Sequence, residues 1–82
     1  QPMQSNDGNL EIAFNGEIYN FQEVKKHLSG YEFKSNSDTE VILAAFMKWG
    51  KDCLRHFNGM FAFAIWDKAK QELFIARDRL GI

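Results

Sequence analysis

From Leu10 the chain alternates, with Leu10, Ile12 and Phe14 apolar and Glu11, Ala13 and Asn15 small or polar. A period of two places one set on each face of an extended segment, so a half-buried strand is predicted, ending at Asn15-Gly16. The period then changes. Asn20 with Glu23 after it, and Val24 and Leu28 on one face with Phe21, predict a capped amphipathic helix from Asn20 to Leu28, stopped by Ser29-Gly30. Tyr31 to Lys34, around Phe33, predicts a brief strand. The best-marked element follows. Ser37-Asp38-Thr39-Glu40 is a capping box with Ser37 at N-cap and Glu40 at N3, and Val41, Ile42, Ala45, Phe46 and Trp49 form one apolar stripe before Gly50 ends the helix. Asp52 to Phe57 predicts a further short helical segment.

Asn58-Gly59 turns the chain into Met60 to Trp66, an apolar run read as a strand buried on both faces. Phe61, Phe63 and Ile65 would fill one side, while Ala62 and Ala64 permit a second layer to approach the other. Asp67 to Gln71 is a polar connection to a second strand at Leu73 to Ala76, which makes a hairpin. Gln1 to Asn9 is polar and turn-forming. Helices beside such strands imply covering layers and an α+β or layered α/β fold, and the tight last connection fits a parallel doubly wound sheet less well. Trp49 and Trp66 stand in apolar stripes and are expected at the core or at layer contacts.

With 82 residues, 45% hydrophobic and 15% aromatic, the chain suits one globular unit. A chain this short buries only roughly 60–65% of its unfolded surface, so its own core is small. It begins at Gln1-Pro2 and stops at Gly81-Ile82, and is expected to be a piece of a longer protein, with an exposed sheet edge that invites association into a homo-oligomer. Ten basic and eleven acidic residues are interspersed, which gives no basic patch for nucleic acid. No apolar run approaches the roughly 18 residues of a membrane span and no leader is visible, so a soluble, cytoplasmic protein is expected. The single Cys53 fits a reducing compartment, and no Cys/His spacing suggests a metal. Cys53 and His56 could pair as thiolate and imidazole, but Cys53 beside Leu54 and Phe57 reads better as a small buried hydrophobe.

The candidate chemistry lies in Asn15-Gly16-Glu17-Ile18-Tyr19-Asn20. A side-chain amide and a glycine N–H at a strand end are the parts of an oxyanion hole, although Asn-Gly between apolar runs is equally the strongest short hairpin signal. Asp38, at the first position of a helix, is favoured there by the macrodipole whatever it binds.

Four blocks carry a resemblance: Asn15 to Asn20, Ser37 to Val41, Gly59 to Asp67 and Ala76 to Ile82. Together, in this order, they resemble the glutamine amidotransferase domain of glutamine-hydrolysing asparagine synthetases. Related class II amidotransferases, which make glucosamine phosphate or phosphoribosylamine, share the Asn-Gly and Ser/Thr-Asp-Thr-Glu elements. Glu17 to Asn20 and the strand ending Trp66-Asp67 are more similar to the asparagine synthetase branch.

The resemblance implies a fragment of the four-layer αββα sandwich of N-terminal-nucleophile hydrolases, in which a first-position cysteine attacks the side-chain amide of glutamine. The ammonia then passes to a synthetase domain, where ATP and magnesium activate aspartate. It implies that Asn15 and Gly16 stabilise the oxyanion, and that Glu17 and Asp38 receive the α-ammonium of glutamine through charge-assisted hydrogen bonds. Arg77-Asp78-Arg79 would serve a substrate or ammonia passage, or tie the strand end to neighbouring segments. These 82 residues depart from the pattern: Gln1 stands in place of cysteine, and the arginine that holds the substrate carboxylate and the synthetase domain are expected to lie outside them. Cys53 cannot substitute, because its α-amino group is locked in a peptide bond and cannot act as the neighbouring base. Residues 1–82 therefore read as a partial domain, inactive alone, from an active parent. The alternatives are a non-catalytic glutamine-binding or regulatory module and an amidotransferase acting on a sugar or other acceptor.

Overall fold

The alternation that begins at Leu10 runs further than its local sequence suggests. In the computed structural model, which describes residues 2–78, strand β2 covers Leu10–Ile18 without interruption. It is preceded by the short strand β1 (Met3–Gln4) and followed by helices α1 (Phe21–Lys26) and α2 (Asp38–Trp49), a 3-10 helix (Gly50–His56) and strands β3 (Gly59–Asp67) and β4 (Glu72–Arg77). The fold class is α+β. The sheet is antiparallel in the order β1-β2-β3-β4, and β2 pairs with β3 from Leu10↔Asp67 to Ile18↔Gly59.

One face of this sheet makes the core. Leu10, Ile12, Ile18, Phe61, Phe63 and Ile65 point into it and are buried. α2 packs against β2, α1 and the 3-10 helix together, so it is apolar on more than the expected stripe: Leu43 and Ala44 are buried along with Val41, Ile42 and Ala45. Ser37 Oγ accepts from the Glu40 N–H at the start of α2 (3.3 Å). At its end Gly50 adopts φ +60° and donates its N–H to the Phe46 carbonyl, the left-handed stop that glycine adopts without a Cβ penalty.

Contrary to the expectation of burial on both sides, the second face of the sheet is open. Met60 and Ile75 are 65% and 70% exposed, Leu73 is exposed, and Trp66 on the same face is 39% exposed. The pleat sends Phe61, Phe63 and Ile65 one way and Met60, Ala62, Ala64 and Trp66 the other, and the described helices cover only the first side.

Tyr31 to Lys34 is likewise not a strand. The backbone donors at its two ends are taken locally: the Tyr31 N–H donates to the Leu28 carbonyl (3.0 Å), and the Glu40 carboxylate accepts from the N–H groups of Lys34 (2.9 Å) and, just beyond, Ser35 (2.8 Å). α1 is shorter than predicted, and Asn20 does not cap it with its side chain. Instead Asn20 Oδ1 accepts from the Asn58 N–H (2.8 Å) and Nδ2 donates to the His56 carbonyl (2.9 Å), fastening the exit of β2 to the entry of β3. β1 lay in the segment read as loop, and its two residues pair with Ile12 and Glu11.

Cys53 and His56 do not pair. Cys53 is fully buried, whereas the His56 ring stacks on Trp49 with centroids 3.7 Å apart. Burial, with Asp52 adding repulsion, pushes the Cys53 thiol up to about 12. A maleimide or iodoacetamide at pH 8 should label Cys53 in the folded full-length protein at least about a hundredfold more slowly than in urea, since thiolate is the reacting species. Peptide mass spectrometry reads this directly, and comparable rates would mean that the thiol is accessible.

Candidate functional site

Asn15, Gly16 and Glu17 lie inside β2, opposite Ala62, Phe61 and Met60, and form neither a turn nor a strand end. Gly16 allows this. Its φ is +120°, and a Cβ there would collide with the Met60 carbonyl and sit 2.7 Å from Phe61 Cα. Only a residue without a side chain fits both the backbone angle and the close approach of β3.

The ladder determines which way the backbone donors face. The Tyr19 N–H donates to the Asn58 carbonyl (2.6 Å) and the Asn9 carbonyl accepts from the Lys68 N–H (3.1 Å). In an antiparallel pair such contacts alternate, so odd-numbered residues of β2 turn their N–H and C=O groups towards β3 and even-numbered ones turn away. β1 covers that second edge only at Glu11 and Ile12. The N–H groups of Gly16 and Ile18 therefore point out of an edge that no described strand covers.

Asp38 meets this edge. As the first residue of α2 it projects back to β2, and its carboxylate accepts from the Ile18 N–H at 3.1 Å. The Gly16 and Ile18 N–H groups, two residues apart on one edge, are about 7 Å apart at ordinary strand rise. The side chains of Asn15 and Glu17 stand on the adjoining open face, both exposed. Asn15 borders a shallow apolar depression there with Ala13, Ala62, Ala64 and Ile75. Among the described residues neither the Asn15 amide nor the Glu17 carboxylate has a hydrogen-bond partner. Thus Gly16 and Asp38 share an edge, and Asn15 and Glu17 flank it from the open face.

Two residues of this neighbourhood have roles that the sequence does not show. Glu40 was read only as the N3 member of a capping box, but its carboxylate reaches past Ser37 to Lys34 and Ser35. Asn20 was read as a helix cap and instead bridges residues 56 and 58. A polar residue at the seam of two elements carries no periodic signature, so local pattern could not have found either role. Asp78 extends the β3–β4 pairing: its N–H donates to the Phe61 carbonyl (3.0 Å) and its Oδ1 accepts from the Phe61 N–H (3.3 Å). Asp78 thus ties the strand end through hydrogen bonds to the Phe61 backbone, where ion pairs of the charged run were expected; Arg79 lies outside the described residues. Among the described residues no group of three or more His, Cys, Asp or Glu comes together as a metal site, and no helix is long and apolar enough to cross a membrane.

An outward glycine N–H, an unpartnered amide beside it and a carboxylate at a helix start thus lie near one strand edge. A family model described as the glutamine amidotransferase domain matches residues 1–82. The chain belongs to that family. It is 49% identical over 73 residues to asparagine synthetase (glutamine-hydrolyzing) 3 of Bacillus subtilis, which covers 87% of this chain and 12% of that protein. With asparagine synthetase (glutamine-hydrolyzing) 2 of the same organism it is 44% identical over 82 residues, 100% of this chain and 11% of that protein. A Schizosaccharomyces pombe protein named as a probable asparagine synthetase (glutamine-hydrolyzing) is 42% identical over 83 residues, 100% of this chain and 15% of that protein. The chain thus spans between 11% and 15% of the length of these curated relatives.

Proposed function

We propose that residues 1–82 are a partial glutamine amidotransferase domain forming one wall of a glutaminase site, within a protein that hydrolyses glutamine and uses the ammonia to amidate aspartate. The observation that carries this reading is the shared edge of β2. The Gly16 N–H and the Asp38 carboxylate lie along the same edge, the carboxylate accepting from the Ile18 N–H two residues from Gly16, about 7 Å at ordinary strand rise. In the proposed reaction a cysteine thiolate attacks the side-chain amide carbon. The carbonyl oxygen becomes an oxyanion, held by the Gly16 N–H and the Asn15 amide. Its collapse leaves a thioester and expels the nitrogen as ammonia, which carries the thiol proton relayed by that cysteine's α-amino group, and water then cleaves the thioester to glutamate and free thiol. Glu17 and Asp38 hold the α-ammonium, which distinguishes an amino acid from a simple amide.

The nucleophile in this scheme belongs to a segment outside these 82 residues. Cys53 is excluded by its burial and raised pKa. The open apolar face bearing Met60, Leu73 and Ile75 supports a second sheet packing on it, as in a four-layer αββα sandwich. ATP and magnesium would serve a synthetase domain elsewhere in the protein. Aspartate as acceptor rests on the names of the relatives. A free thiol at Cys53 supports a cytoplasmic setting.

The test is glutamine hydrolysis followed as paired glutamate and ammonia. The full-length protein should release both in equal amounts, and the 82-residue chain alone should release neither above a buffer blank. A full-length protein that binds glutamine without cleaving it would overturn the enzymatic reading.

A further inference from the structure

Glu40 is a buried carboxylate that the proposed reaction does not use. It is 4% exposed. Its two oxygens accept from the Lys34 N–H (2.9 and 3.1 Å), and Oε1 also accepts from the Ser35 N–H (2.8 Å) and the Ser35 hydroxyl (2.7 Å). Ser35 Oγ in turn accepts from the Ser37 N–H (3.3 Å) and lies 3.0 Å from Ser37 Oγ, while Ser37 Oγ accepts from the Glu40 N–H (3.3 Å). The circuit closes the chain from residue 34 to residue 40 upon itself. Asp38 is enclosed within it, with its own carboxylate extended across to Ile18 on β2.

A helix start needs much less than this. Ser37 alone would supply the cap, and an acid at N3 on the solvent side would serve the dipole without being desolvated. Desolvating a carboxylate is costly unless its hydrogen bonds are satisfied, and here they are satisfied by the segment that leads into Asp38. We propose that Glu40 is a positioning residue for Asp38, fixing the Lys34–Ser37 approach so that the Asp38 carboxylate is held at the β2 edge in the geometry that receives the substrate's α-ammonium. This rests on the glutamine-binding reading of Asp38. The bonds it controls are made to a part of glutamine remote from the reacting carbon, so they act in the bound ground state and the transition state alike.

The experiment uses the full-length protein with Glu40→Gln, Asp38→Asn and the double variant. Glu40→Gln should raise KM for glutamine by at least about tenfold, the weight of a hydrogen bond to a charged group, with kcat changed less than about twofold. With glutaramate, which is glutamine lacking its α-ammonium, the same substitution should leave kcat/KM unchanged. In the Asp38→Asn background Glu40→Gln should add nothing to KM, because it acts through the residue already disabled. Ser35→Ala, which removes one arm of the circuit, should give a smaller rise of about threefold and keeps the proposal testable if Glu40→Gln does not fold. An unchanged KM, equal losses with glutamine and glutaramate, or additive effects with Asp38→Asn would each overturn the proposal. Absence of glutamine hydrolysis by the wild-type protein would instead remove the enzymatic reading on which it rests.

Discussion

Asn15→Ala in the full-length protein is expected to lower kcat for glutamine hydrolysis by about 100- to 1,000-fold, with little change in KM. The direction follows from where the amide stands. Asn15 is exposed on the open face of β2 and has no hydrogen-bond partner among the described residues, so it is not holding the fold together. A donor aimed at the substrate oxygen strengthens as negative charge develops there, which places its effect in the transition state and not in substrate binding. Loss of an exposed, unpartnered side chain should also leave stability within about 0.5 kcal/mol of wild type. If the full-length protein amidates aspartate as proposed, amidation driven by added ammonium salt would not pass through the glutaminase step and should be unchanged, which separates this loss from a general defect. If Asn15→Ala retained glutaminase activity within a fewfold of wild type, with normal folding, the oxyanion assignment would fall.

What local sequence could show here was limited by range. α2 was legible at both ends, because its signals are carried by neighbouring residues: Ser37 caps it, and Gly50 stops it with a positive φ. The β3–β4 hairpin was also legible, to within a residue or two at its ends. β2 was misjudged at Asn15-Gly16, since a glycine with positive φ inside a strand has the same local signature as a turn. Only β3, more than 40 residues away in sequence, shows that the chain stays extended. Tyr31 to Lys34 has strand-like residues, yet its end donors are taken by the Leu28 carbonyl and by a buried carboxylate from the next helix. The alternation of Met60 to Trp66 was readable, but whether both of its faces are covered depends on what packs there, which the run itself does not encode. The same holds for the site. Asp38 was identifiable as a helix-start acid, but its bond to Ile18 joins residues 20 apart and became visible only in three dimensions.

Gly16→Ala is expected to destabilise the domain by about 3–5 kcal/mol, combining backbone strain with overpacking. At φ +120° an alanine is strained whatever surrounds it, and its Cβ would be driven against the Met60 carbonyl and Phe61 Cα, both backbone atoms of a paired strand that cannot swing aside as a flexible side chain would. Relief requires β2 and β3 to separate where they are hydrogen-bonded, so the damage should centre on their shared ladder. Gly30→Ala is the matched control: nothing lies within 4 Å of a Cβ built there, and the same added methyl should change stability by no more than about 1 kcal/mol. Hydrogen exchange of the β2–β3 amides in the full-length protein under increasing urea would read the difference locally. Protection in Gly16→Ala should be lost at clearly lower urea than in Gly30→Ala, and coincident curves would mean that the strand tolerates a side chain at this point. The requirement also bears on chemistry. The glycine that lets β3 approach closely on one side turns its N–H to the uncovered edge on the other, so pairing and the proposed oxyanion contact depend on the same missing side chain.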